Sequence, residues 1–275
     1  RRLRAEIEAV PASVYLRFLF EWQFLDSTVK MKGPQATAAV IEQIAGFEAA
    51  AGAWESDILP SRIRDYRPEY LDNLHTSGHT VWLRLNAKRS SASCTNGPFR
   101  TTPISLVPRV DLKNWLAMVR IDPVREDVPL GAVAQMILQV LGQHGAAFFD
   151  DIVDRCGVLK SQCEQALGEL AAAGLITADS FSGLRVLLIS ARRRRPLNGS
   201  RRRGVTTAAL DTTGRWDLIP RNSANAAASL DSDSEKIDAI VCALIKRYGI
   251  VFKRVLERET ALPPWRYLLW ALRRM

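Results

Sequence analysis

Two clusters of guanidinium groups carry most of the chemistry this sequence could do: Arg192-Arg193-Arg194-Arg195 and Arg201-Arg202-Arg203, with five residues between them. Arginine is always charged and its planar fork matches a phosphate, so such runs suit contact with a phosphate backbone; on a linker they can equally keep the chain solvated. A second set lies near the end of the sequence, where Lys253 and Arg254 precede Arg266, and Arg273 and Arg274 follow it by seven and eight residues. In a helix opened by Pro263-Pro264, Arg266 and Arg273 could form one phosphate-binding surface with Lys253 and Arg254 of the helix before, and Arg274 is a further candidate. Trp265 at the start of that helix reads as core rather than as a base-stacking ring. A third candidate is Lys160-Ser161-Gln162, where a positive helix end and small polar donors could meet a phosphate, although Ser161 also fits a simple N-cap.

Other chemistry is thinly represented. Asp150, Asp151, Asp179, Asp211 and Asp217 offer carboxylates, but no spacing singles one out and each reads as a solvated surface acid. His75 and His79 are four apart, yet Gly78 intervenes and no carboxylate pattern completes a zinc site, so no metal is expected. Cys94, Cys156, Cys163 and Cys242 lack paired Cys-x-x-Cys spacing and read as free thiols in a reducing cytoplasm. No phosphate-cradling Gly-x-x-x-x-Gly-Lys loop is present, so these residues are not expected to hydrolyse ATP or hold a cofactor. No apolar run approaches the roughly 20 residues that span a bilayer, and nothing after Arg1-Arg2-Leu3-Arg4 resembles a signal peptide; neither a membrane nor secretion is indicated. The 275 residues, 47% hydrophobic, suffice for two or three small domains. The sequence opens on Arg1 and stops at Met275 inside an apolar helical run, which leads us to expect an internal piece of a longer protein.

The elements that must position these groups repeat. His144-Gly145-Ala146-Ala147-Phe148-Phe149 and Tyr248-Gly249-Ile250-Val251-Phe252 each follow an apolar helical run and lead into another helix. Phe148 and Phe252 are expected to anchor the two cores. A degenerate third copy is predicted earlier, because Leu74 precedes Gly78 by four residues, as Leu170 precedes Gly174, and a strand-like segment follows both glycines. In the second copy, Leu175-Ile176-Thr177 and Leu184 to Ile189 are predicted to form a hairpin, and a hairpin after a helix-turn-helix is a wing. The fold class is therefore mainly α with small β wings, α+β: tandem winged-helix units joined by loops and an Arg-rich linker. The expected boundaries are a helical lead-in (1–35), a degenerate winged helix (36–86), a loop plus strand-helix connector (87–129), a winged helix (130–189), the Arg-rich linker with a short strand (190–234), and a third winged helix truncated before its wing (235–275).

Charge separates the copies better than the total of +9 does. Residues 36–86 hold four basic against seven acidic residues, and 130–189 three against six, so each is −3. Residues 190–234 and 235–275 each hold nine basic against four acidic residues, or +5. Nucleic acid is held largely through phosphate charge, so the last copy and the linker are the candidates for contact, and the acidic copies read mainly as scaffold or protein-contact modules.

Several segments together resemble the C-terminal, non-motor region of the large helicase-related (Lhr) family in its bacterial long form. They are Arg1 to Glu8, Arg17-Phe18-Leu19-Phe20-Glu21-Trp22-Gln23, Val40 to Glu48, Trp54-Glu55 with Ile58-Leu59-Pro60, Gly214-Arg215-Trp216 and Tyr248 to Phe252. The likeness keeps its order over nearly the whole chain. Lys88 to Pro98 and Asn222 to Ser229 depart from it as insertions or drift. The resemblance implies a cytoplasmic ATP-dependent helicase, translocating on single strands, whose motor, with its ATP and Mg2+, lies upstream. It implies tandem winged helices, DNA as partner (single-stranded or duplex, with RNA as an alternative), and a role in DNA repair. It also implies likeness to winged-helix DNA glycosylases. Three functions follow as expectations: an accessory region holding DNA for the motor; part of a uracil-type glycosylase module, with its catalytic carboxylate expected beyond Met275; or a structural region forming a homo-oligomer.

Overall fold

The structure, a computed structural model, describes residues 10–85, 99–118, 130–193, 214–219, 234–259 and 261–275. Helix α1 (Ala12–Trp22) starts directly after Pro11. Gly33, at φ 91, turns the short β1 (Met31–Lys32) into α2 (Pro34–Gln43), with Pro34 in the first turn, where a missing N–H costs nothing. The segment Lys32-Gly33-Pro34 thus starts a helix as well as ending what precedes it. Then come β2 (Ala49–Ala50), a π-helical stretch (Trp54–Ile58) running into α3 (Leu59–Arg62), and β3 (Ile63–Arg64), which pairs in parallel with β1. Helix α4 (Pro68–Thr76) and β4 (Thr80–Leu83) follow. The sheet is completed by β5 (Pro103–Pro108), which lies between β2 and β4 with Val81 opposite Val107 and Trp82 opposite Leu106. The expected connector at 87–129 is therefore not one segment. Its strand closes the first winged helix, because the four positions from Ile104 to Val107, three apolar and one serine, are all buried in that sheet.

Its helix, α5 (Leu112–Met118), belongs elsewhere: Trp115 packs with the third unit. Gly46, at φ +79, sits where any Cβ would run into the Trp115 ring. Gly46→Ala combines that overlap with a left-handed backbone and is expected to cost about 2–4 kcal/mol. A drop in the urea midpoint at unchanged slope would register it, and a change below about 0.5 kcal/mol would refute it.

The second unit runs through α6 (Ala132–His144), β6 (Ala147–Phe148), α7 (Phe149–Cys156), α8 (Lys160–Ala172) and β7 (Ile176–Ala178). The glycines that align the copies behave alike, since Gly78 and Gly174 both take left-handed φ (74 and 67) after their helices. The expected second wing strand, Leu184 to Ile189, is instead part of helix α9 (Phe181–Arg193). Ser180 caps it by accepting the Gly183 N–H at 3.4 Å, and Phe181, Leu184 and Leu187 fall at helical spacing into the core. The wing is closed from within the expected linker by β8 (Arg215–Leu218), which lies between β6 and β7.

Helix α9 docks on the first unit. Arg185 bonds Glu55 at 2.8 and 2.9 Å and Asp72 at 3.2 Å through two nitrogens, and Tyr66 donates to Glu55 at 3.1 Å. Burial opposes the charge of Arg185, but the hydrogen bonds and charges of Glu55 and Asp72 outweigh it and hold its pKa above the ordinary value. Beside it, burial pushes the His75 pKa down to about 4, so this ring is neutral at pH 7, its Nδ1 against the Leu71 carbonyl and its face near Phe181. Trp82 donates to the Ser180 carbonyl, Thr177 donates to the Trp82 carbonyl, and the two units share one hydrophobic core.

The third unit is α10 (Ser234–Tyr248), α11 (Lys253–Leu256) and α12 (Trp265–Arg274), whose core of Ile237, Val241, Leu244, Leu268 and Ala271 takes in Trp115. Gly145 and Gly249 both end their helices at left-handed φ (75 and 67), and Phe148 and Phe252 both take the N-cap of the next helix. Neither is a core anchor: Phe148 is 50% exposed and Phe252 39%, whereas Phe149 is 1% exposed. An N-cap residue is extended, and in the second unit it is the next residue, Phe149, that the helix turns into the core. Phe252 packs edge-on against Tyr15 of α1 at 5.4 Å.

Candidate nucleic-acid interface

The third helix of each helix-turn-helix is the one that can present side chains to nucleic acid, and its exposed face differs among the three units. On α4 the exposed positions include Glu69, Asn73 and Thr76, with none of the helix's residues basic except His75, which is buried. On α8 they include Ser161, Gln162 and Gln165. On α12, Leu268 and Ala271 turn inward, and the exposed positions are Arg266, Trp270, Arg273 and Arg274, with no acidic residue in the helix.

The arginines of α12 are ordered by their neighbours. Arg266 lies over the Tyr267 ring at 4.6 Å and donates to its hydroxyl at 3.0 Å. Arg274 covers one face of Trp270 at 4.4 Å while bonding Ser234 and Asp238 of α10. Arg273 is exposed, and Lys253 and Arg254 are exposed at the start of α11, the preceding helix. Trp265 is half-buried against the third unit's core, as expected. The helix leaves Arg266, Arg273 and Arg274 exposed; Trp270, which the charge pattern does not single out, stands in the same row, four residues after Arg266 and three before Arg273.

The second unit's candidates are drawn into local structure. Lys160 pairs with Asp150 across α7 and α8 at 2.7 Å and lies 6.0 Å from the Phe149 ring. Gln162 accepts the Leu159 N–H at 3.1 Å, closing the start of α8, where Leu159 and not Ser161 is the N-cap. Ser161 is exposed in the first turn. Of the arginine runs, Arg192 and Arg193 end α9 rather than lying in a loop; Arg194, Arg195, Arg201, Arg202 and Arg203 lie outside the described residues, as does Asp211. Among the other carboxylates, Asp179 pairs with Arg215 at 3.1 Å and accepts its backbone N–H, Asp217 accepts the Leu218 N–H, and Asp151 is exposed in the first turn of α7. Among the described residues no group of His, Cys, Asp and Glu could hold a metal ion, and no helix is long and apolar enough to cross a membrane.

Residues 10–109 match the winged-helix domain of large helicase-related proteins, the stretch that contains α1 through β5. Over 278 residues, covering 94% of this chain, the sequence is 30% identical to a Mycolicibacterium smegmatis protein named Lhr helicase and probable uracil glycosylase. It is 29% identical over 297 residues, again 94% of the chain, to the Escherichia coli Lhr helicase/uracil glycosylase. The chain spans only 16% and 18% of those two relatives. With three helix-turn-helix units in order and a match to one of the family's own domains, the chain belongs to the large helicase-related family, as a winged-helix region from its C-terminal part.

Proposed function

We propose that this chain is a cytoplasmic nucleic-acid-binding accessory region of an Lhr-type helicase, holding DNA for a motor elsewhere in the protein during DNA repair. The observation that carries this reading is the exposed face of α12, three arginines and a tryptophan without an acid, on the helix that a helix-turn-helix offers to nucleic acid. The names of the two relatives, both helicases, support it. Arg266 and Arg273 take phosphates; Arg274 is shared with Asp238. Lys253 and Arg254 extend the surface, and the arginine runs 192–195 and 201–203 supply further charge. ATP and Mg2+ belong to the motor: no described helix is opened by a phosphate-cradling glycine loop, so the described residues do not fit them.

Released counterions give the test. Binding of the chain to DNA should weaken steeply with salt, and Arg266→Ala with Arg273→Ala should reduce the slope of log K against log salt by about 0.7–0.9 per arginine removed. Neutralising Arg192 to Arg195 should lower it further. Salt-independent binding, or a double variant with the parent's slope, would remove the basis for this reading. RNA of the same sequence, titrated alongside, decides between DNA and RNA.

A second reading, part of a uracil-excising module, is favoured by one observation: both relatives carry uracil glycosylase in their names. Release of uracil from a uracil-containing oligonucleotide tests it, and no release by either this chain or the full-length protein would sink it.

A further inference from the structure

We propose that Trp270 is a stacking platform for an unpaired base, so that α12 takes single-stranded nucleic acid in preference to duplex; this rests on the reading of α12 as the nucleic-acid face. Trp270 is 55% exposed on a helix whose packing is done by Leu268 and Ala271, so the core does not account for the ring's position. One of its faces is already covered by Arg274, itself tied to Ser234 and Asp238. The ring is thereby held in orientation while more than half its surface stays open, which lowers the ordering cost of stacking a partner on it.

The surroundings say what the partner is. Arg266 lies four residues before Trp270 and Arg273 three after, a row of cation, ring, cation over roughly 10 Å of helix. This pattern offers charge to phosphates on either side of a base and a flat surface to the base between them. In a duplex the base faces are stacked on one another, and a helix in the major groove meets only base edges, so the open ring would have nothing to stack on. An unpaired strand exposes both the phosphate and the base face. The absence of acidic residues from α12 gives the face no complement for a basic protein partner.

The test compares Trp270→Ala, Trp270→Phe and the Arg266→Ala/Arg273→Ala double variant of the chain, using a fluorescein-labelled oligo(dT) strand and a duplex of equal length. Trp270→Ala should lose about tenfold to a hundredfold in single-strand affinity, with duplex affinity and the salt slope unchanged. Trp270→Phe should retain most of the affinity, which separates stacking from any effect on folding. If the arginine variant weakens binding while Trp270→Ala does not, or if Trp270→Ala weakens strand and duplex alike, stacking is overturned and the interface stands. If neither variant matters, both readings fall. Loss of self-association on Trp270→Ala, with single-strand affinity intact, would assign the ring to a protein contact and overturn the proposal.

Discussion

Trp216→Ala is expected to destabilise the chain by about 3–5 kcal/mol, the cost of emptying a buried aromatic site. Trp216 is 0% exposed and lies on β8, the central strand of the second sheet, opposite Ala147 on one side and Ala178 on the other. Those two alanines leave the space that the indole fills, and neither can grow to replace it. The ring also meets Trp82 of the first unit edge-on, at 6.3 Å and 79°. Removing it therefore opens a cavity inside one winged helix and breaks an aromatic contact to the next, in the single core that the two units share. Among the described residues no acceptor reaches the Trp216 indole N–H, so Trp216→Phe forfeits volume but no hydrogen bond and should cost less than half as much. Urea unfolding followed by near-UV circular dichroism would measure both. A loss below about 1 kcal/mol for the alanine variant would mean that β8 does not hold the units together.

That strand illustrates what could be read in advance and what could not. Gly214 to Ile219 announces a strand by composition, but its neighbours β6 and β7 lie far away in the sequence, and local signals do not record pairing partners. Leu184 to Ile189 misleads for a different reason: a short apolar run has no period of its own, and only the cap Ser180 and the buried series Phe181, Leu184, Leu187 settle it as helix. The repeated Gly-x-x-Phe correctly marks two helix ends, because left-handed backbone at Gly145 and Gly249 is a local requirement. Whether the phenylalanine is buried depends on one further residue of register, which is why Phe148 is exposed and Phe149 is not. At the candidate interface, counting charge by unit points to α12 because phosphate contact needs net charge, while the pairing of Lys160 with Asp150 across the turn is not legible in the sequence.

Arg247→Ala is expected to cost about 3–5 kcal/mol, because it leaves a buried charge without its partner. Arg247 is 2% exposed on α10, where one guanidinium nitrogen bonds Glu259 and another bonds the Ala45 carbonyl just past α2. Its guanidinium also lies 5.7 Å from the Phe47 ring. Glu259 is itself buried and accepts from Tyr248 at 2.5 Å; burial, and then the Glu259 charge, raise the Tyr248 pKa. The side chain thus reaches from the third unit to the first, at a place where α1 is also fastened: Trp22 donates to the Lys246 carbonyl at 2.7 Å and Gln23 to the Arg247 carbonyl at 2.8 Å. Arg247→Met with Glu259→Leu removes both charges and keeps apolar volume, and a buried pair replaced in this way is often near neutral. The pair of variants therefore separates the cost of orphaning a charge from any net worth of the ion pair. A double variant as unstable as Arg247→Ala would show that the bond to Ala45, not the charge on Glu259, is what matters. Both variants leave Arg266, Trp270 and Arg273 unchanged, so while the third unit stays folded the salt slope of DNA binding should stay at the parent's value even as stability falls. A reduced slope would mean that the α12 face takes its phosphates only when α10 is held against the first unit.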